Sequence, residues 1–470
     1  MRNAAATHLF EAVAKLSRKN RSAFERNPQM ATILVYSSSE AGHIFPLVPG
    51  LTALAARGHD IQMRVPGKHV MSMREAGFVA APVDPRIDEV EVTDYEAKSG
   101  GDRLRQGIRD LLLRGDIEMP DFEKSVAEVR PDAVIIDALN YGALTSAEAM
   151  DTPCSLFMPS LLPLRGEGIP AYGLGHAPMG GPLGKLRDAA FWKLSEHLYG
   201  KAMLPGLNGL REKKGLAPFE SPFDMFTNPE RVIITSGDPL EYPRTDLPEK
   251  VKLVGPQLWD PPAETPAWLD EPGDPWVLVT CSTHYQGDEQ LALTAAEALK
   301  DEPYRVLVTT ADAFDGRPPA SHGNVRFESF VPHGKVLERA AGVICHGGMG
   351  IVQKSLYESV PMVVVPFGRD QPEVARRVTE AGAGTSWPFK KLNPAILRRK
   401  FREAIAMREQ VQEAAERFRT AATTDGFTDA VESTLPAGTS LANEQQRLER
   451  LRDLIAEREA SIERAESLFA

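Results

Sequence analysis

The chain has 470 residues, 42% hydrophobic and 25% charged, with a formal net charge of −11. That length predicts two core domains, the acidic surface argues against nucleic acid as a partner, and the longest apolar runs are too short to span a membrane. Three cysteines, Cys154, Cys281 and Cys345, are widely spaced in apolar runs and predict buried free thiols rather than a disulfide framework or a zinc site.

The first thirty residues are Ala-rich and basic, with Leu9, Phe10, Val13 and Leu16 at helical spacing, and predict a helical extension over 1–30 to which no function is assigned. No charged-then-apolar secretion pattern opens the chain, so a cytoplasmic protein is expected. From Ala31 the pattern is strand (33–36), helix (46–57) and strand (61–65), with Pro46 in the first helical turn and Gly58 as the left-handed stop. Short β-branched runs recur at 78–82, 133–136, 154–158 and 231–235, with helical patterns at 122–130 and 142–150. Residues 159–230 read as a loop-and-helix excursion. A proline-rich passage through Pro239, Pro243, Pro248 and Pro256 predicts a linker, after which strands at 276–280, 305–310, 325–327, 343–345 and 362–365 alternate with helices.

The expected fold is therefore α/β, two tandem doubly wound Rossmann-like domains over 31–240 and 241–435 facing each other across a cleft. Beyond them, Leu448, Leu451, Ile455, Ile462, Ala465 and Phe469 lie near heptad spacing and predict a helical extension over 436–470. It either packs on the body or forms a homodimer contact.

One stretch is the most informative. A strand runs into His346, Gly347, Gly348, Met349 and Gly350 and then directly into a helix near Ile351. Glycines permit close backbone approach, and a helix N-terminus offers N–H groups to a diphosphate; a tight structural turn is the plain alternative. The next strand ends in Pro366, Phe367, Gly368, Arg369, Asp370 and Gln371, presenting a carboxylate and an amide suited to sugar hydroxyls. In the first half, His43 follows the first strand at a helix start, where an imidazole can take a proton from a hydroxyl. Asp137 ends the strand 133–136 and can orient it. A capping or core histidine, and a helix N-cap aspartate, are the structural alternatives.

These motifs carry a resemblance. His-Gly-Gly-x-Gly at 346–350 with Pro-x-x-x-Asp-Gln at 366–371, preceded by Gly-His-x-x-Pro at 42–46, is similar to the signature of the inverting GT-B nucleotide-sugar glycosyltransferases of the natural-product and macrolide type, the family 1 UDP-glycosyltransferase-like enzymes. The likeness spans residues 31 to 425. It implies a UDP- or TDP-hexose as donor and a hydroxyl on a lipophilic small molecule, such as a polyketide, phenol or terpenoid, as acceptor. By the same resemblance His43 is the base and Asp137 its orienting acid. Donor binding falls to Ser282, Thr283, Phe330, Val331, His333, His346, Gly347, Gly348, Gly350, Ile351, Asp370 and Gln371, with Phe330 stacking on the nucleobase unless it is ordinary core.

The chain departs from that pattern where relatives place Thr or Ser, here Ile351, and where they place a ribose-binding glutamate, here Lys354. Lys354 is expected to favour phosphate or to pair with an acid such as Glu358, leaving Gln353 as a substitute for the ribose. Acceptor lining is expected from the 66–120 and 159–225 excursions, with Phe157, Met158, Leu161, Leu162 and Trp192 as candidates. No Asp-x-Asp triplet, Gly-x-x-x-x-Gly-Lys loop or Gly-x-Gly-x-x-Gly fingerprint occurs, so neither a bound metal nor NAD is expected and the nucleotide sugar serves as co-substrate. Two other readings stand beside this one, a nucleotide-sugar epimerase on the same fold and a non-catalytic nucleotide-sugar binder that assists a partner enzyme.

Overall fold

The structure is a computed structural model that describes residues 30–97, 99–283 and 286–436. The helical extensions expected before Met30 and after Pro436, and the dimer contact assigned to the second, lie outside the described residues.

Two wholly parallel sheets form the frame. The first has seven strands: β1 (Thr32–Tyr36), β2 (Asp60–Val65), β3 (Val79–Pro82), β4 (Ala133–Asp137), β5 (Cys154–Met158), β6 (Arg231–Ile234) and β7 (Val251–Leu253), in the order β3-β2-β1-β4-β5-β6-β7. The second has six: β8 (Trp276–Thr280), β9 (Arg305–Thr309), β10 (Val325–Glu328), β11 (Ala340–Cys345), β12 (Met362–Val364) and β13 (Gly384–Ser386), in the order β10-β9-β8-β11-β12-β13. Strands such as VLV in β8 and VII in β4 are buried on both faces, which is why they read as continuous apolar runs rather than alternating ones. In each sheet the first strand pairs on one side with the second and on the other with the fourth, Tyr36 opposite Ile136 and Thr280 opposite Cys345. The order in which successive strands are added to the sheet reverses between those central strands, and their carboxyl ends open the crevice in which such sheets bind ligands. The two doubly wound domains expected from the sequence are thus present.

Differences from expectation have local causes. β7 belongs to the first sheet although its passage was expected to be linker, beyond a domain boundary at residue 240, and β13 had no predicted counterpart; with three residues each, neither shows a periodicity. The helix foreseen over 122–130 is the end of a helix Gly100–Val129 that continues through Pro120. Within 159–230 lies a second long helix, Gly181–Lys213.

The chain also returns. After the second sheet, helix Thr424–Glu432 packs on the first domain, where Phe427 is fully buried and its ring lies 6.2 Å from that of Phe157. Gly50 faces it, and a Cβ there would stand 2.4 Å from the Phe427 ring. Arg57 holds Asp425 and Asp429 at 2.9 Å and Glu432 at 2.8 Å. The three cysteines are free and buried, as expected.

Candidate active site

The first half of the site stands on the carboxyl ends of β1 and β4. From β1 the chain passes through Ser37, Ser38 and Ser39 into a single helical turn, Ala41–Ile44, which aims His43 back over the sheet edge. Asp137 is the last residue of β4 and its side chain is buried. His43 Nδ1 lies 2.7 Å from Asp137 Oδ2, while the other carboxylate oxygen accepts from Ser39 Oγ at 3.0 Å and from the Leu139 N–H at 2.9 Å. Asp137 is thus neither a free surface acid nor a helix cap. With 26% of its side chain exposed, His43 keeps its other ring nitrogen available. Burial lowers its pKa, but the Asp137 carboxylate, and more weakly Asp370 and Glu40, outweigh that effect and the net shift is upward from 6.5.

The second half rests on β11 and β12. Gly347 takes φ +98°, a left-handed conformation that a side chain resists, and a Cβ there would stand 2.8 Å from Val364 Cγ1. Gly348 caps helix Met349–Tyr357, and a Cβ on it would lie 2.5 Å from His346 Nε2. The helix's first backbone bond runs from the Val352 N–H to the Gly348 carbonyl, so the N–H groups of Met349, Gly350 and Ile351 stand ahead of it. His346 is buried, and among the described residues its Nδ1 has no hydrogen-bond partner. Burial first, and then the Arg369 guanidinium, lower its pKa to about 4. At neutral pH His346 is an uncharged ring.

Asp370 and Gln371 stand at the start of the next helix, and both already have partners within the protein. Asp370 Oδ2 accepts from Ser160 Oγ of the first domain at 2.6 Å. Gln371 is buried and braces its own loop: Oε1 accepts from the Phe367 N–H at 2.8 Å and Nε2 donates to Gln286 Oε1 at 2.8 Å. Phe330, 58% exposed, is not core. Val331 is, and so is the Ile351 side chain, leaving only backbone groups of these two for a ligand. His333 Nε2 sits 3.0 Å from Thr309 Oγ1, its pKa lowered to about 4 by burial and then by Lys354. The Ser282 N–H donates to Asp288 Oδ2 at 2.5 Å, and Thr283 is exposed.

Lys354 pairs with Asp260 of the linker rather than Glu358, and Asp260 Oδ2 also accepts from the Gly334 N–H at 3.0 Å. Gln353 is buried and donates to the Thr235 carbonyl at 2.7 Å, so it joins the domains instead of facing a ribose. The apolar residues expected to line an acceptor pocket are packed away. Phe157, Met158, Leu161, Leu162 and Trp192 are all buried in cores, Trp192 with its indole N–H on the Ile169 carbonyl at 2.9 Å.

Several contacts that close the cleft carried no sequence signal. Arg369, at φ +57°, forms a bidentate pair with Asp94, Nε to Oδ2 at 3.0 Å and Nη2 to Oδ1 at 2.7 Å. Arg103 donates to the Phe367 carbonyl at 3.1 Å, and Glu373 accepts from the Gly175 N–H at 2.6 Å. Each joins residues far apart in the chain. Ser39 alone could have been noticed, as the third of a serine run beside the histidine. Among the described residues there is no cluster of three potential metal ligands, and no helix is long and apolar enough to cross a membrane.

Comparison with known proteins agrees with this fold. Residues 304–432 match the family model of the erythromycin biosynthesis protein CIII-like C-terminal domain. The chain is 27% identical over 391 residues to 4'-demethylrebeccamycin synthase of Lentzea aerocolonigenes, covering 80% of this chain and 92% of that protein. It is 22% identical to the NDP-glycosyltransferase YjiC of Bacillus subtilis, over 76% of this chain and 84% of the relative. Among solved structures, the glycotransferase of kitacinnamycin superposes with a TM-score of 0.69 at 21% identity, over 87% of this chain and 100% of its own. The calicheamicin glycosyltransferase CalG4 gives 0.62 at 21% identity, over 87% and 99%. The chain is therefore a glycosyltransferase built on the GT-B fold, similar to enzymes of the natural-product type.

Proposed function

We propose that the protein transfers a hexose from a UDP- or TDP-sugar to a hydroxyl of a lipophilic small molecule by a single in-line displacement with inversion at the anomeric carbon. The observation that carries this reading is the His43 Nδ1 to Asp137 Oδ2 contact of 2.7 Å at the carboxyl edge of one sheet, across the cleft from the glycine turn of the other. Asp137 fixes the ring and stabilises the imidazolium, and His43 Nε2 takes the acceptor proton as its oxygen attacks. The leaving diphosphate is met by a neutral His346 donor and by the N–H groups of Gly350 and Ile351. Asp370 lies close enough to His43 to raise its pKa, which supports a sugar held between the two. Phe330 provides the face for the nucleobase. The names of the relatives, tied to demethylrebeccamycin and kitacinnamycin, support a small-molecule acceptor. The transferred group comes from the co-substrate and not from a resident cofactor.

The test is His43→Ala. Turnover should fall by roughly 10²–10⁴-fold while UDP or TDP affinity, followed by titration calorimetry, stays unchanged. A variant that turns over like the unmodified protein would falsify the assignment.

A further inference from the structure

Behind the His43 and Asp137 pair lies a carboxyl that no step above uses. Glu118 projects from the middle of helix Gly100–Val129 and has no exposed surface. Its Oε1 accepts from Ser38 Oγ at 2.9 Å and from Asn140 Nδ2 at 2.8 Å, and its Oε2 accepts from the Gly142 N–H at 3.0 Å. Asn140 Oδ1 accepts in turn from the Ser38 N–H at 3.1 Å. Ser38 lies on the segment leading from β1 to His43, and Asn140 on the segment leaving Asp137. One buried side chain therefore ties together the two loops that carry the pair.

The site is built for this contact. A Cβ on Gly142 would stand 2.1 Å from the Gly115 carbonyl oxygen, so helices Gly100–Val129 and Tyr141–Ala149 meet backbone to backbone. That approach brings the Glu118 carboxyl within reach of the Gly142 N–H. A buried carboxyl without a paired cation destabilises the fold, and here three donors offset that effect. The nearest guanidinium, Arg114 on the same helix, is spent on the Val90 carbonyl at 2.6 and 2.9 Å. Burial raises the Glu118 pKa to about 7 while the three donors and Arg114 pull it down. Other titratable groups around it are Tyr36 on β1, Asp121 one turn along its helix, Asp137 on β4 and Tyr141 on the facing helix. A proton on Oε2 would face the Gly142 N–H, so the network fits the carboxylate. Apolar side chains would hold two helices together at less cost. What the carboxyl adds is direction.

We propose that Glu118 is a positioning residue: through Ser38 and Asn140 it sets the loops after β1 and β4 so that the His43 ring meets the Asp137 carboxylate. The proposal rests on the reading of His43 as the base. The experiment compares Glu118→Gln, Ser38→Ala and His43→Ala for kcat, donor KM, UDP and TDP affinity, and the His43 pKa from ring resonances. In Glu118→Gln an amide N–H must face one of the three donors. Its kcat should fall roughly 10- to 100-fold, as for a catalytic group displaced by a fraction of an ångström to one ångström. Nucleotide affinity should hold, and the His43 pKa should move down as its contact with Asp137 loosens. Ser38→Ala removes one donor, leaves the carboxyl in place and should show a smaller fall in the same direction; it carries the test alone where Glu118→Gln does not fold. Unchanged kcat and His43 pKa in both variants would overturn the proposal, and so would a loss of kcat matched by an equal loss of nucleotide affinity. Full turnover by His43→Ala would instead remove the base assignment, whatever Glu118 does.

Discussion

The two halves of the cleft use one topology for opposite electrostatic ends. Each sheet has its reversal between a first and a fourth strand, and each carries a histidine at the carboxyl end of one of them, His43 after β1 and His346 after β11. His43 faces a buried carboxylate at 2.7 Å and its pKa rises; His346 lies near the Arg369 guanidinium, and its pKa falls to about 4. Burial acts downward on both. At His43 the carboxylates, Asp137 foremost, overcome burial, whereas at His346 the Arg369 guanidinium adds to it, and the chemistry follows: one ring suited to accepting a proton, the other to donating a neutral hydrogen bond to a phosphate oxygen.

Taking away the deciding charge should break the contrast most severely. Asp137→Asn leaves the shape nearly intact but cannot stabilise the imidazolium, and turnover should fall roughly 10²–10⁴-fold. The pH dependence gives the sign. A base must be unprotonated to act, so a raised pKa places the acid limb of kcat/KM above pH 6.5, and in Asp137→Asn that limb should move to lower pH. A limb that stays in place would mean that Asp137 does not set the titration of the base. On the other side, His346→Ala should weaken UDP or TDP binding about ten-fold, the worth of one hydrogen bond to a charged group. With its pKa near 4, His346 is neutral at pH 6 and at pH 8 alike, so the ratio of the two affinities should be the same at both. A ratio that grows at pH 6 would show a charged ring and dissolve the difference between the halves.

How much of this could be read from the sequence follows from the range of each interaction. The frame was legible because its central strands are apolar runs closed by loops, and the candidate residues were legible because Asp137 and the glycine turn stand at the end of such a run and His43 follows one through a short serine loop. A motif gives position and not orientation, however. Ile351 and Val331 sit where the resemblance placed them, yet their side chains turn into the core. Gln371 faces its own loop rather than the cleft. Lys354 found its acid in Asp260, which no local pattern connects to it. Trp192 and Phe157 failed as acceptor lining for a related reason, since an apolar side chain fits a core or a pocket equally well from composition alone. The helix Gly100–Val129, which delivers Glu118, was hidden by Pro120 and Gly115, residues that read as breakers.

The smallest effect expected concerns the contact that holds the halves together. Asp94 lies on the segment after β3 and is buried, while Arg369 is 30% exposed at its side chain and directly precedes Asp370. Arg369 also occupies a left-handed backbone conformation that costs a non-glycine residue about 1–2 kcal/mol, a cost the bidentate pair helps to offset. Asp94→Ala should therefore destabilise the protein by about 1–2 kcal/mol, less than a fully buried pair because the arginine regains water. Melting measured by calorimetry should shift down by a few degrees. The loop that bears Asp370 gains freedom, and donor KM should rise about two- to five-fold with kcat held, because the contact between His43 and Asp137 lies on the other sheet edge and does not depend on Asp94. A fall in kcat comparable with that of Asp137→Asn would mean that the two edges are not separable, and that closure of the cleft, rather than the charge beside each histidine, sets their roles.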